Sequence, residues 1–461
     1  MELPADFVTR SRRLLGKEYD LLEAALHTDT PVSVRLNTAK NTPCPKEGAE
    51  QVPWCEVGYY LPNRLTFTFD PLFHAGTYYV QEASSMFLEQ AVKTHISAPV
   101  RCLDLCAAPG GKSTHLINLL PEGSLLVCNE VIRNRSAVLA ENIAKWGAPN
   151  VVVSNNDPKE IGRLTHYFDV IVADVPCSGE GMFRKDMGSR DEWSEANVQL
   201  CAARGRRIIH DIWDALKPGG LLIYSTCTYN TEENEENIEY IATELGAEAL
   251  SIPVEPFWNI CGTMKGDQPV YRFFPHRTKG EGFFLSVLRK AENGQPIQKI
   301  KQKNSKPDKN RLSIPATVYS WLSEPEKYHL TVYNEIAEAF PIEYKDDYSL
   351  LTDKLHIVSA GVRLGGIKGK DVIPHSALAF STALNRGAFP QEEITWDEAI
   401  RFFRREVLSL PGSVEKGYVL LTHKGFPLGF VKQLGSRANN LYPQEWRIRT
   451  GYTPNEVKTL L

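Results

Sequence analysis

From residue 101 to residue 227, short apolar runs alternate with longer segments of helical periodicity. The runs are RCLDLCAA, GSLLVCNE, NVVVSN, FDVIVADV and GGLLIYSTC, and the separating stretches include RSAVLAENIAKWG and NVQLCAARGRRIIHDIWDAL. That alternation predicts an α/β fold with a parallel sheet and crossover helices. A later apolar run, GFFLSVLRK at 282–290, is expected as an added edge strand.

The pattern changes on both sides of this core. Residues 1–99 predict a smaller α+β segment, with LLGKEYDLLEAALH helical and PVSVRLNTA extended. Residues 292–311, ENGQPIQKIKQKNSKPDKNR, have two isoleucines as their only large apolar residues, beside two prolines and six basic residues. Such a stretch cannot bury a face and reads as a basic flexible linker. Beyond it, TWDEAIRFFRREVLSL opens with a capping box, Thr395 with Glu398, and GYVLLTHKGFPLGFVKQL predicts two strands around a Lys-Gly turn. The expected division is therefore 1–99, 100–291, the linker 292–311, and a C-terminal α+β region 312–461.

Length and composition agree with a multidomain globular chain, 42% hydrophobic and 23% charged. No apolar run approaches a membrane span, and the N-terminus lacks the pattern of a signal peptide. Nine scattered cysteines imply reduced thiols and a cytoplasmic setting. Cys102 and Cys106 lack histidine partners nearby, so no metal is expected. The net charge of −4 is uneven: residues 1–289 carry −9 and residues 290–311 carry +5. An RNA partner would have to be met by local basic groups. The candidates are Arg10, Arg12, Arg13 and Lys17; Arg184 and Lys185; Arg204, Arg206 and Arg207; and Arg363, Lys368 and Lys370.

The candidate chemistry lies at strand ends. Asp104-Leu-Cys-Ala-Ala-Pro-Gly-Gly-Lys-Ser113 follows the first core strand and opens a helix, where a glycine-rich turn lets backbone amides approach a ligand. A P-loop would need glycine where Cys106 stands, and the dinucleotide spacing is absent. The remaining ligand class carries a carboxylate, an amine and a ribose. Glu130 ends the second strand, where an acid accepts from ribose hydroxyls, and Asp157 follows the third, where it meets adenine or ribose or merely caps a helix. Asp174-Val-Pro-Cys-Ser-Gly179 and Ser225-Thr-Cys-Thr-Tyr229 end the fourth and fifth strands, so Cys177 and Cys227 should border one crevice. The segment Ser178-Gly179-Glu180-Gly181 and Trp193 are expected to make turns and pack the core.

DLCAAPGGKS, DVPCSGEGMFRKD and YSTCTYNTEENEENI resemble the signature motifs of the Sun-type RNA 5-methylcytosine methyltransferases, with dense similarity over residues 75–290. The resemblance implies a Rossmann-like core using S-adenosyl-L-methionine. Its implied cofactor residues are Cys106, Ala107, Ala108, Pro109, Gly110, Gly111, Lys112, Glu130, Arg135, Asp157 and Asp174. It makes Cys227 the nucleophile and Cys177 the group that helps release product. GVRLGGIKGKDVIPHSALAF and KGFPLGFVKQLGSRANNLYP are similar to the RsmF-type branch, which acts on small-subunit ribosomal RNA and ends in a PUA-like RNA-binding module. Val175 departs from the family's usual alanine.

The implied chemistry explains the residue types. Cytosine C5 is a poor nucleophile until a thiolate adds at C6. Asp174 would hold the base edge, and the target must be unpaired or flipped. Two rival readings are an amine-directed RNA or protein methyltransferase, disfavoured by Cys177 after Pro176, and a non-catalytic RNA-binding assembly factor. The chain is expected to act as a monomer, with residues 312–461 supplying RNA affinity. Cutting within 292–311 is expected to leave cofactor binding to 1–291 largely intact.

Overall fold

The computed structural model describes residues 2–45, 48–292, 314–369, 371–454 and 457–461. The expected linker, apart from Glu292, and Lys370 lie outside the described residues.

The five apolar runs form the strands Arg101–Asp104, Leu125–Asn129, Val151–Ser154, Phe168–Asp174 and Leu216–Thr226. They pair in parallel, and two neighbours in space, Arg101–Asp104 and Phe168–Asp174, are separated in the chain by two other strands. Their middles are apolar at successive positions because the sheet is buried on both faces. Val151 and Val153 belong to one core cluster, and Val152 to the other. Helices Gly111–Leu119, Arg133–Trp146 and Glu195–Ile212 make crossovers.

The run at 282–290 is not an edge. Phe283–Lys290 pairs antiparallel with Leu216–Thr226, and Ala247–Leu250 pairs outside it. Ala247–Leu250 is half-buried and carries no apolar run, so its pattern did not mark it as a strand. At the opposite edge, Ile357–Ala360 pairs antiparallel with Val151–Ser154 and completes a nine-stranded sheet. A strand from the C-terminal region is thus part of the core sheet.

The N-terminal segment has helices Ala5–Leu15 and Tyr19–Leu26 and a four-stranded sheet that includes Val32–Leu36. The C-terminal region adds two four-stranded sheets. The capping box at Thr395 and Glu398 forms as expected and starts the helix Trp396–Phe403. Strands Gly417–His423 and Phe426–Gln433 meet at Lys424-Gly425, both with positive φ. The Trp396 indole donates to the Phe69 carbonyl at 2.8 Å, joining this region to the N-terminal segment. No helix among the described residues is long and apolar enough to cross a membrane.

Candidate active site

Strand order reverses between Arg101–Asp104 and Phe168–Asp174, and in an open α/β sheet ligands bind outside the carboxyl ends at such a point. The glycine turn leaves the first of these strands; the Pro-Cys segment leaves the second.

Gly110 has φ +117° and immediately precedes the helix Gly111–Leu119, a conformation that L side chains rarely adopt. The turn is braced from behind: Arg135 donates to the Ala108 carbonyl at 2.7 Å and Asn142 to the Pro109 carbonyl at 2.8 Å. Ala107 N–H donates to the Asn129 carbonyl at 2.8 Å. Glu130, buried, accepts from Ile132 N–H at 2.9 Å and lies 3.4 Å from Arg135. Arg135 therefore supports the turn and Glu130 together. Asp157 caps the short helix Pro158–Ile161 by accepting from Lys159 N–H at 3.0 Å, so the capping role weighed from sequence is real. Its side chain is exposed at the mouth of the third strand.

Asp104 is a further residue of this end of the site. It is fully buried; one oxygen accepts from the Ser113 hydroxyl at 2.6 Å and the other, Oδ1, has no hydrogen-bond partner. Burial pushes its carboxyl up to about 7. An orphaned buried acceptor beside a glycine turn fits a ligand that brings a cationic amine, and the acid at Glu130 fits a ribose. The residues present therefore suit S-adenosylmethionine.

At the catalytic end the two cysteines meet. Cys177 Sγ lies 3.1 Å from Cys227 Sγ, and Cys227 N–H points to Cys177 Sγ at 3.3 Å. Both are free thiols and partly accessible. The hydrogen bond to Cys227, together with burial, pushes the Cys177 thiol well up. Asp174, one-third exposed, accepts from Lys112 Nζ at 2.7 Å and from the Ser225 hydroxyl at 2.7 Å. Lys112 and Asp174 thus work as an ion pair, and Ser225 was missed. The signal for Ser225 was its place two residues before Cys227 on a strand whose end faces the crevice.

Several basic candidates are internally engaged. Arg184 is buried against Glu281 at 3.0 Å. Arg10 pairs with Glu232 and lies 3.5 Å from Glu195. Arg12 pairs with Asp20 at 3.1 Å, Arg206 donates to Asn237 at 2.7 Å, and Arg363 pairs with Glu338 at 3.4 Å. Arg13, Lys17, Lys185, Arg204, Arg207 and Lys368 are exposed.

One group of three metal-capable side chains occurs among the described residues: Cys55, Glu89 and His115, all buried. His115 Nε2 lies 3.3 Å from Glu89 and 3.8 Å from Cys55, while Glu89 also accepts from Lys93 at 2.8 Å. Burial lowers His115 to about 4. Their separation in sequence hid the group from spacing arguments. These contacts already describe a hydrogen-bonded triad.

The reversed strand order, glycine turn and strand-end acids define an α/β methyltransferase core of the S-adenosylmethionine-dependent class, followed by a PUA-like region. Residues 96–289 match the model described as 16S rRNA methyltransferase RsmB/F, residues 3–83 that of the N-terminal domain of 16S rRNA methyltransferase RsmF, and residues 391–448 that of the methyltransferase RsmF PUA domain. The chain is 31% identical to ribosomal RNA small subunit methyltransferase F of Shigella boydii serotype 4, across 96% of each. It is 30% identical to the same-named protein of Escherichia coli O9:H4, again across 96% of each. A methyltransferase homolog protein from Pyrococcus horikoshii aligns with TM-score 0.52 and 28% identity, over 62% of this chain and 94% of that one. NSun6 from Pyrococcus horikoshii shares the fold, with TM-score 0.53 and 20% identity over 63% of this chain and 99% of that one. The chain belongs to the 16S rRNA methyltransferase RsmB/F family.

Proposed function

We propose that this protein methylates C5 of cytosine in RNA, with small-subunit ribosomal RNA as substrate, through a covalent bond between Cys227 and C6. The observation that carries this reading is the 3.1 Å approach of two free thiols at the ends of neighbouring strands. A methyltransferase acting on an amine needs neither thiol.

S-adenosylmethionine, when bound, supplies an electrophilic methyl group. Glu130 would accept from its ribose, Asp104 would meet its amine, and the turn Cys106–Lys112 would face it with backbone groups. Cys227 gives its proton to a base and its sulfur bonds to C6 as the C5–C6 double bond opens, which raises electron density at C5. C5 would then take the methyl group, whose bond to the sulfonium sulfur breaks and leaves S-adenosylhomocysteine behind. The C5 proton leaves to a base, the sulfur–C6 bond breaks, and the C5–C6 double bond returns. The 3.1 Å approach of the two sulfurs places Cys177 to exchange protons during release. The Lys112–Asp174 pair offers a donor and an acceptor to the base edge, where charge develops during addition.

The base must leave its stack to reach Cys227. A cleft of about 300 Å³ reaches the loop after the nucleophile; its lining carries Arg10, held by Glu232, Lys265, held by Glu236, and the exposed Arg13 as the cation open to an approaching strand. The substrate assignment draws on the relatives named small subunit methyltransferase F. Bisulfite sequencing of ribosomal RNA from cells with and without the gene tests it. A cytosine protected only when the gene is present is expected; unchanged protection across the small-subunit RNA would exclude that substrate.

A further inference from the structure

We propose that Glu180 and Glu233 are positioning residues: a reciprocal clasp in which each carboxylate, carried on one cysteine's loop, holds the residues beside the other cysteine. The proposal rests on the covalent reading above.

Glu180 lies three residues after Cys177. It accepts from the Thr228 hydroxyl at 2.7 Å, Tyr229 N–H at 2.8 Å and Asn230 N–H at 2.9 Å, the three residues that directly follow Cys227. Its other oxygen accepts from the Trp193 indole at 3.0 Å. Glu233 lies six residues after Cys227. It accepts from Ser178 N–H at 2.9 Å and from the Ser178 hydroxyl, the residue that directly follows Cys177, and from Asn230 at 2.7 Å. The Ser178 and Thr228 hydroxyls are themselves 3.0 Å apart.

Turn-making and core packing, expected for Ser178 and Glu180 from sequence, do not explain this arrangement. Both carboxylates are almost wholly buried, at 2% and 1% exposure. Burying a carboxylate is costly unless donors converge on it, and a neutral residue would pack the same space at lower cost. Here Thr228, Tyr229 and Asn230 donate to Glu180 and Ser178 donates to Glu233, so these donors come from the opposite loop and lie within three residues of the opposite thiol, while Trp193 and Asn230 complete the two sets. The backbone closes the same seam: Gly181 N–H donates to the Cys227 carbonyl at 2.9 Å. A Cβ at Gly181 would sit 2.5 Å from the Gly282 carbonyl oxygen and 2.9 Å from that of Cys227, so only glycine allows this approach. Two loops that meet only through side-chain hydroxyls would let the thiols drift. Carboxylates with fixed donors on both oxygens hold them to one separation.

The clasp predicts different failures for its two halves. Glu180 holds the loop of the attacking thiol, and Glu233 the loop of the releasing one. In Glu180→Gln, single-turnover adduct formation and methyl transfer should slow by about a hundredfold, the scale for a reacting group displaced by about an ångström. In Glu233→Gln, methyl transfer should stay near the wild-type rate while the adduct surviving denaturing electrophoresis accumulates. The dissociation constant for S-adenosylhomocysteine should be unchanged in both. Ser178→Ala and Thr228→Ala delete one donor each and keep both carboxylates; should the glutamine variants fail to fold, these must show the same division. Equal slowing of both steps, wild-type rates throughout, or cofactor affinity falling in step with activity would each overturn the clasp. Absence of any adduct in the wild-type protein on a methylated RNA would instead overturn the covalent reading and the clasp with it.

Discussion

The Arg101 guanidinium holds the Asp347 carboxylate with two hydrogen bonds, Nε to Oδ1 at 2.6 Å and NH2 to Oδ2 at 3.2 Å, across 246 residues of chain. Tyr167 donates its hydroxyl to the same Asp347 at 2.7 Å. Arg101 begins the first core strand, and Asp347 belongs to the helix Lys345–Lys354, just before the edge strand Ile357–Ala360. These contacts bind the C-terminal region to the catalytic sheet.

The fragment 1–291 should therefore melt below the full chain, even where its cofactor binding is kept. Removing Ile357–Ala360 strips the Val151–Ser154 edge of its partner and uncovers an apolar strand. Asp347→Ala should cost about 1–3 kcal/mol, because the Tyr167 hydroxyl is left buried without its acceptor. Thermal melts of both proteins check this; a fragment as stable as the whole chain would mean that the edge strand adds nothing.

Glu130→Ala should weaken S-adenosylhomocysteine binding about tenfold or more, as loss of a charge-assisted hydrogen bond costs about 1.5–3 kcal/mol. Arg135 would lose its carboxylate partner as well, although its bond to the Ala108 carbonyl remains. Calorimetry measures the change, and an unaltered dissociation constant would remove Glu130 from the ribose site.

Asp104 should make both stability and cofactor affinity depend on pH, in opposite directions. Its carboxyl is raised to about 7 in the folded protein, against about 3.9 when unfolded. The folded state binds the extra proton, so the stability linked to Asp104 is complete below about pH 4 and is lost as pH rises toward 7. A ligand amine prefers the ionised carboxylate, so S-adenosylhomocysteine should bind more tightly as pH rises through about 7. Asp104→Asn should flatten both slopes. Titrations at pH 6 and pH 8 test it, and an equal slope in the variant would assign the effect elsewhere.

The two cysteines should fail differently although their side chains are identical. Cys227→Ala should form no adduct and transfer no methyl group. Cys177→Ala should transfer the methyl group and stall before release, leaving a species with the mass of protein plus RNA plus one methyl. Mass spectrometry of the denatured complex distinguishes them. Adduct in Cys227→Ala and none in Cys177→Ala would reverse the roles.

Much of this protein could be read along the chain. The five core strands were legible because a strand buried on both faces must be apolar at successive positions, and the capping box at Thr395 because its partners are three residues apart. The cysteines, the glycine turn and Glu130 were legible because each sits at a strand's end, where the fold class dictates which way it faces. Ala247–Leu250 and Ile357–Ala360 were not, since an edge strand is defined by backbone pairing with a neighbour and needs no apolar run of its own. The state of the charges was decided later still. Arg184 reads in sequence as half of a basic patch, yet Glu281, 97 residues away, consumes it. Glu180 reads as part of a turn, yet it grips the loop of Cys227, 48 to 50 residues on. Local pattern specifies which backbone conformation is favourable, whereas hydrogen bonds and ion pairs depend on distances of a few ångströms, and between remote segments only the folded chain sets those distances.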